Sequence, residues 1–221
     1  MSRLVTANTE VPSCDRSLDT SQADHADTPL ISANAVALSR GGIAILRDIS
    51  LSLSAGDVTL LRGANGIGKT SLLRAMAGLL RLDEGEINAA PDQCAFFTGA
   101  GGVKAGLSVD ENLHFWAALY GTDGNAIADA KTAFGLEPLA DRRAGALSTG
   151  YARRLGLARL TLTGRSIWLI DEPTASLDDA GVALFLSALA HHRERGGAAL
   201  IATHDPIDIE DARILTLGAL S

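Results

Sequence analysis

Cysteine, aromatic side chains, basic charge and long apolar runs are all scarce in this sequence. Its 221 residues hold two cysteines, Cys14 and Cys94, far apart and outside any CxxC or CxxCH pattern. That excludes a disulfide framework, a zinc ribbon and covalently attached haem. Beside Phe96 and Phe97, Cys94 reads as a small buried hydrophobe. Five Phe, two Trp and two Tyr are all the aromatics, and 19 Lys and Arg against 26 Asp and Glu leave a formal charge of −7. Non-specific nucleic-acid binding depends on phosphate neutralisation and base stacking, so no nucleic-acid partner is expected. No apolar run approaches the roughly 18 residues of a membrane span. Met1–Glu10 also lacks the apolar core of a secretory signal. A soluble cytosolic chain is the expectation.

What is present is material for a core. At 47% hydrophobic, the chain can build one domain, or a domain with a subdomain. Residues 1 to 28 stand apart. Glu10, Asp15, Asp19, Asp24 and Asp27 accompany only Arg3 and Arg16, with no helical or strand periodicity. Such a segment buries too little apolar area to offset its ordering entropy, so a disordered tail is expected there, with the folded part at 29–221.

From Ile31 the pattern is strand-like. Val36 and Leu38 share a face, Gly41-Gly42 marks a turn, and Ile49, Leu51 and Leu53 alternate with serines. Val58–Leu61 is a short apolar strand, and Lys69–Leu80 has helical spacing. Ser108-Val109-Asp110-Glu111 is a capping box opening a helix to about Tyr120, Asn125 is read as the cap of a second, and Ser148 opens a third. Ile167–Ile170 is a buried strand, Asp178–Arg195 a helix, Ala198–Ala202 a strand and Ile214–Leu217 a last strand. Strands alternating with helices predict an α/β fold, a mostly parallel sheet covered on both faces. The adjacent pair His191 and His192 reads as surface residues, His114 has no motif to support a functional role, and Phe115 and Trp116 read as core in preference to interface.

Between the Val58–Leu61 strand and the next helix lies Gly63-Ala64-Asn65-Gly66-Ile67-Gly68-Lys69-Thr70, which matches GxxxxGK[ST], with Ser71 following. Glycines let the backbone curl its N–H groups toward phosphate oxygens, and the helix behind adds its positive end. Lys69 can reach the β- and γ-phosphates and the Thr70 hydroxyl can bind Mg²⁺, so ATP with Mg²⁺ is the expected ligand. The apolar run Ser166–Ile170 ends in Asp171-Glu172-Pro173. A strand delivers Asp171 to its carboxyl end, where α/β sheets bind ligands. There Asp171 can hold Mg²⁺, and Glu172 can orient or deprotonate an attacking water.

With these two segments the chain resembles the ABC-type ATPases, the nucleotide-binding subunits of ATP-binding-cassette transporters. Leu147-Ser148-Thr149-Gly150 resembles the family's signature motif, Ser176-Leu177-Asp178 its D-loop, and His204 in Ala202-Thr203-His204-Asp205 its switch histidine. The resemblance implies a P-loop fold with a parallel sheet core, an antiparallel β subdomain and a helical subdomain at about residues 99–163. It also implies ATP hydrolysis with Glu172, His204 and Lys69 as catalytic residues. Ser148 and Gly150 then serve the γ-phosphate held by an opposing copy, with Asp178 alongside, in an ATP-driven head-to-tail homodimer. Three segments depart from the family pattern. Arg40 stands where an aromatic residue usually stacks on adenine. Thr149 and Tyr151 replace a common Gly and Gln. Thr98–Lys104 contains no glutamine where the Q-loop has one.

Within the family, several stretches resemble the ATP-binding subunits of cytochrome c maturation. They are Gly102-Val103-Lys104, Leu107-Ser108-Val109, Glu111–Trp116, Arg153–Leu160 and Ala202–Pro206. That resemblance implies a peripheral subunit on the cytoplasmic face of a bacterial inner membrane. There it docks on a separate integral membrane permease, near Lys104–Leu119, and energises haem handling. A transporter ATPase for another cargo, and a nucleotide-binding module that does not hydrolyse, are the alternatives the sequence leaves open.

Overall fold

The computed structural model describes residues 28–99 and 102–218, so the expectation of a disordered tail lies outside the described residues except for Thr28. Two sheets form the frame. Strands β1 (Ile31–Arg40), β2 (Ile43–Leu53) and β4 (Glu84–Ala89) make an antiparallel sheet in the order β2-β1-β4. Strands β3 (Val58–Arg62), β5 (Cys94–Thr98), β6 (Ile167–Asp171), β7 (Ala198–Ala202) and β8 (Arg213–Thr216) make a parallel sheet in the order β5-β6-β7-β3-β8.

The central strands β6 and β7 are apolar along almost their whole length because both of their faces are covered, whereas the edge strand β8 is largely exposed. Trp168, Ile170, Ala199 and Ile201 pack on one side, with Leu113, Phe134, Leu155, Leu157 and Phe185. Ile167, Leu169, Ala198 and Leu200 pack on the other, with Leu72, Leu73 and the antiparallel sheet's Val36, Leu38 and Leu46. Helix α1 (Lys69–Met76) follows β3. Helices α2 (Val109–Tyr120), α3 (Gly124–Phe134) and α4 (Thr149–Leu162) pack on one another, and α5 (Asp179–Glu194) joins β6 to β7. The Ser108 capping box is formed, with its hydroxyl accepting from Glu111 N–H and the Glu111 carboxylate accepting from Ser108 N–H.

Several expectations need correction. Helix α1 stops at Met76 rather than Leu80, because Ala77, Gly78 and Leu79 turn their N–H groups back onto Leu73, Ala75 and Arg74. The cap of α3 is Asp123, whose carboxylate accepts from Ala126 N–H, so Asn125 lies inside the helix. Phe115 is 42% exposed while its neighbour Trp116 is buried, since adjacent residues on a helix face different sides. Cys94 is half-buried, and burial pushes its thiol pKa up.

His192 is not a surface residue. Its ring stacks on Trp168 with centroids 3.9 Å apart, and its Nε2 lies 3.3 Å from the Ala198 carbonyl. Burial holds its pKa below the ordinary 6.5, so the folded chain resists a proton that the unfolded chain accepts. Its contribution is complete above the unfolded-state pKa and is lost as pH falls through about 6.5 toward the lowered folded value. Thermal melts should therefore show a larger fall in Tm for the parent chain than for His192→Phe, between about pH 7.5 and about pH 5.5. Equal falls would remove His192 as the cause.

Candidate functional site

Register places three strand ends in one row. Asp171 on β6 pairs with Ala202 on β7, and Ala202 pairs with Leu61 on β3. The chain therefore leaves the sheet at neighbouring points as Gly63–Gly68, as Glu172 and as Thr203–His204. Arg62, at the end of β3, ties this row together by donating to the Thr203 and Asp205 carbonyls.

The loop after β3 is shaped by glycine. Gly63 has φ +142° and Gly68 has φ +114°, and a Cβ on Gly63 would lie 2.8 Å from the Leu217 carbonyl oxygen. Gly68 caps α1 without a side chain, leaving the first-turn N–H groups to point into the loop. Lys69 is 7% exposed and its Nζ donates to the Gly63 and Ala64 carbonyls at 2.8 and 3.2 Å. An ammonium has three protons, so one remains for an anion in the loop. Ala64, Asn65 and Gly66 are exposed at the loop's rim, Ile67 is half-buried, and Ser71 lies in the first turn of α1.

Thr70 Oγ1 donates to Asp171 Oδ2 at 2.7 Å. A hydroxyl and a carboxylate this close, beside a phosphate-shaped loop, are a donor set that fits Mg²⁺, which takes one or two protein oxygens and fills its other positions with phosphate and water.

Glu172 is the most constrained residue of the row. Its φ is +49° although it precedes proline, and such left-handed non-glycine backbone costs about 1–3 kcal/mol and persists where neighbours over-determine it. Two neighbours do so here. Glu172 N–H donates to the Ala202 carbonyl at 2.8 Å, and Arg153 Nη1 donates to the Glu172 carbonyl at 2.5 Å. Burial lowers the pKa of the Arg153 guanidinium, and the carboxylates of Glu172 and Asp171 push it back up. Beyond Glu172 Oε2, at 2.9 Å, lies His204 Nδ1, and the hydrogen bond to Glu172 followed by its charge raises the His204 pKa. Asp205 flanks His204 Nε2 at 3.4 Å and accepts from Thr174 Oγ1 at 2.8 Å.

Lys69, Thr70, Asp171, Glu172 and His204 thus lie along one row of neighbouring strand ends. Among the described residues, no hydrogen bond or ion pair links Arg40, Ser148, Gly150 or Asp178 to them. Ser148 caps α4 by accepting from Tyr151 N–H. Gly150 lies against the loop before α5, where an added Cβ would meet the Ser176 carbonyl oxygen at 2.9 Å. Asp178 caps α5 by accepting from Gly181 N–H and pairs with Arg154 on α4. That pairing and the cap hold its carboxyl below the usual range. Arg40 is exposed at the end of β1. Arg62, Arg153 and Thr174 escape a sequence reading, because each acts on a backbone or side chain contributed by a distant segment.

The profile of the ABC transporter family matches residues 46–175. The chain is 49% identical to the "Cytochrome c biogenesis ATP-binding export protein CcmA" of Rhodobacter capsulatus, covering 86% of this chain and 87% of that one. To the protein of the same name from Paracoccus denitrificans it is 50% identical, covering 86% and 89%. Among solved structures, an ABC transporter ATP-binding protein from Pyrococcus furiosus matches with a TM-score of 0.75 at 25% identity, covering 85% of this chain and 96% of that one.

Proposed function

This chain belongs to the ABC transporter family and is an ABC-type ATPase, and from that premise we propose that it energises haem handling in c-type cytochrome biogenesis. What carries the reading is identity, over most of the chain, to two proteins named for ATP-binding export in cytochrome c biogenesis. It works as a peripheral subunit on the cytoplasmic face of a bacterial inner membrane, bound to an integral permease. Among the described residues no helix is long and apolar enough to cross a membrane. The exposed side chains Phe115 and Leu119 on α2 offer apolar area for that docking.

The chemistry follows from the row of strand ends. Gly63–Gly68 and the start of α1 receive the β- and γ-phosphates, with Lys69 turning its remaining proton to them and Ser71 in the same turn. Thr70 and Asp171 would hold Mg²⁺, whose charge offsets that of the phosphate oxygens. Glu172 accepts the proton of the water that attacks the γ-phosphorus, and the bond to the bridging oxygen breaks with its electrons left on ADP. His204, held by Glu172, faces the γ-phosphate. Arg40 stacks its guanidinium on adenine.

The other face of the γ-phosphate is covered by a second copy, through the start of α4 at Ser148 and Gly150, with Asp178 beside it. Two copies face each other head to tail around two ATP molecules. The body of the ATPase is residues 29–221, with the helical subdomain at about 99–163.

A haem stain of membrane c-type cytochromes tests this reading in a strain lacking the gene. Covalent haem should vanish, return with the wild-type chain and stay absent with Lys69→Ala. Normal cytochromes in the deletion strain would remove the biogenesis role and leave a transporter ATPase of other cargo.

A further inference from the structure

The start of α4 grips the loop between β6 and α5 at three points. Arg153 donates to the Glu172 carbonyl, Gly150 abuts the Ser176 carbonyl, and Arg154 pairs with Asp178. The loop needs such a grip, since Glu172 and Ser176 both have positive φ, +49° and +67°. At Glu172 the peptide is fixed from two directions. Its N–H is held by Ala202 on β7, a fully buried strand of the central sheet. Its carbonyl is held by a guanidinium that comes from a different element and is itself half-buried. Without that second hold, the Glu172 backbone is free to relax toward the extended conformation that a residue before proline prefers. The carboxylate would then swing out of the row it shares with Asp171 and His204.

We propose that Arg153 is a positioning residue for ATP hydrolysis, acting through Glu172 by fixing the peptide on which its carboxylate is mounted. The inference rests on the reading of Glu172 as the residue that takes the proton of the attacking water. Arg153 is not among the groups that receive the phosphates. ATP binding through Gly63–Thr70 therefore does not depend on it, and the rate of hydrolysis does. Lysine at 153 keeps one charged donor but not the planar fork, so it recovers part of the function.

Steady-state and single-turnover hydrolysis by the full chain, with binding of a fluorescent ATP analogue, tests the proposal. Arg153→Ala should lower kcat by about 10²-fold, the scale of a small misplacement at a reacting centre. KM and analogue binding should stay unchanged, and Arg153→Lys should fall between. In a Glu172→Gln background, Arg153→Ala should add no further loss, because the group it positions is gone. Wild-type turnover by Arg153→Ala overturns the proposal. So does a loss that adds in full to Glu172→Gln, or one accompanied by lost analogue binding, since either marks a general structural role. Normal hydrolysis by Glu172→Gln alone would instead remove the role of Glu172, and the inference with it.

Discussion

Glu172→Gln should stop ATP turnover while leaving ATP binding intact, and should convert the chain into a dimer that persists for as long as ATP is present. The substitution keeps the side chain's size and its ability to accept from His204, whose Nδ1 lies 2.9 Å from Oε2 in the parent. It removes the anion that can take a proton. General-base loss is worth about 10²–10⁴-fold in rate. Lys69, Thr70 and Asp171 are untouched, so nucleotide should still enter and the proposed second copy should still close over it. In the proposed head-to-tail dimer both copies hold the γ-phosphate, so an unhydrolysed nucleotide should keep them together. Gel filtration with and without ATP, alongside phosphate release, reads both effects. A variant that stays monomeric with ATP, or that releases phosphate at the wild-type rate, would end the role assigned to Glu172.

A second large effect is expected at the opposite half-site. Gly150→Val places a branched side chain where even a Cβ would stand 2.9 Å from the Ser176 carbonyl oxygen. The start of α4 must shift, and with it the hydroxyl and N–H groups proposed to face the opposing γ-phosphate. Hydrolysis should fall by about 10²–10³-fold, the usual consequence of losing one donor to a developing anion. ATP binding by the chain's own loop should be unchanged. The decisive arm is mixing. Gly150→Val keeps its phosphate loop and loses its signature half, whereas Lys69→Ala loses its loop and keeps its signature half. A mixed pair contains one complete site, so the two inactive chains together should hydrolyse ATP that neither hydrolyses alone. Recovery on mixing requires the head-to-tail arrangement; no recovery, with both chains folded and able to associate, would count against it.

What could be read in the sequence was whatever is written locally. Gly63–Thr70 and Asp171-Glu172 are contiguous motifs whose strand contexts are short apolar runs. The caps at Ser108, Ser148 and Asp178 depend on a side chain and a backbone three residues away. Where two candidates compete locally, the sequence alone misleads: Asp123 and Asn125 are both good caps, and the structure uses the first. Strand β4 has no strand-like pattern, because Glu84 and Glu86 sit on an exposed edge that takes its shape from pairing with β1. Contacts made across the fold carry no local signal. The stack of His192 on Trp168, and the hold of Arg62 on Thr203 and of Arg153 on Glu172, each join segments far apart in the chain. For that reason the candidate ligand-facing residues are legible in the sequence and the residues that hold them are not.

The level row formed by Leu61, Ala202 and Asp171 has a consequence for how the protein fails. It lies at the middle of the parallel sheet, where β7 is flanked on both sides, and not on a peripheral loop. Opening that row means separating central strands, which requires nearly the free energy of global unfolding. Amide exchange at Leu60, Ile170 and Ile201 should therefore be the slowest in the chain. Heat or denaturant then cannot melt the candidate hydrolytic row as an early, separate event. The ledge of strand ends and the whole domain should be lost in a single step.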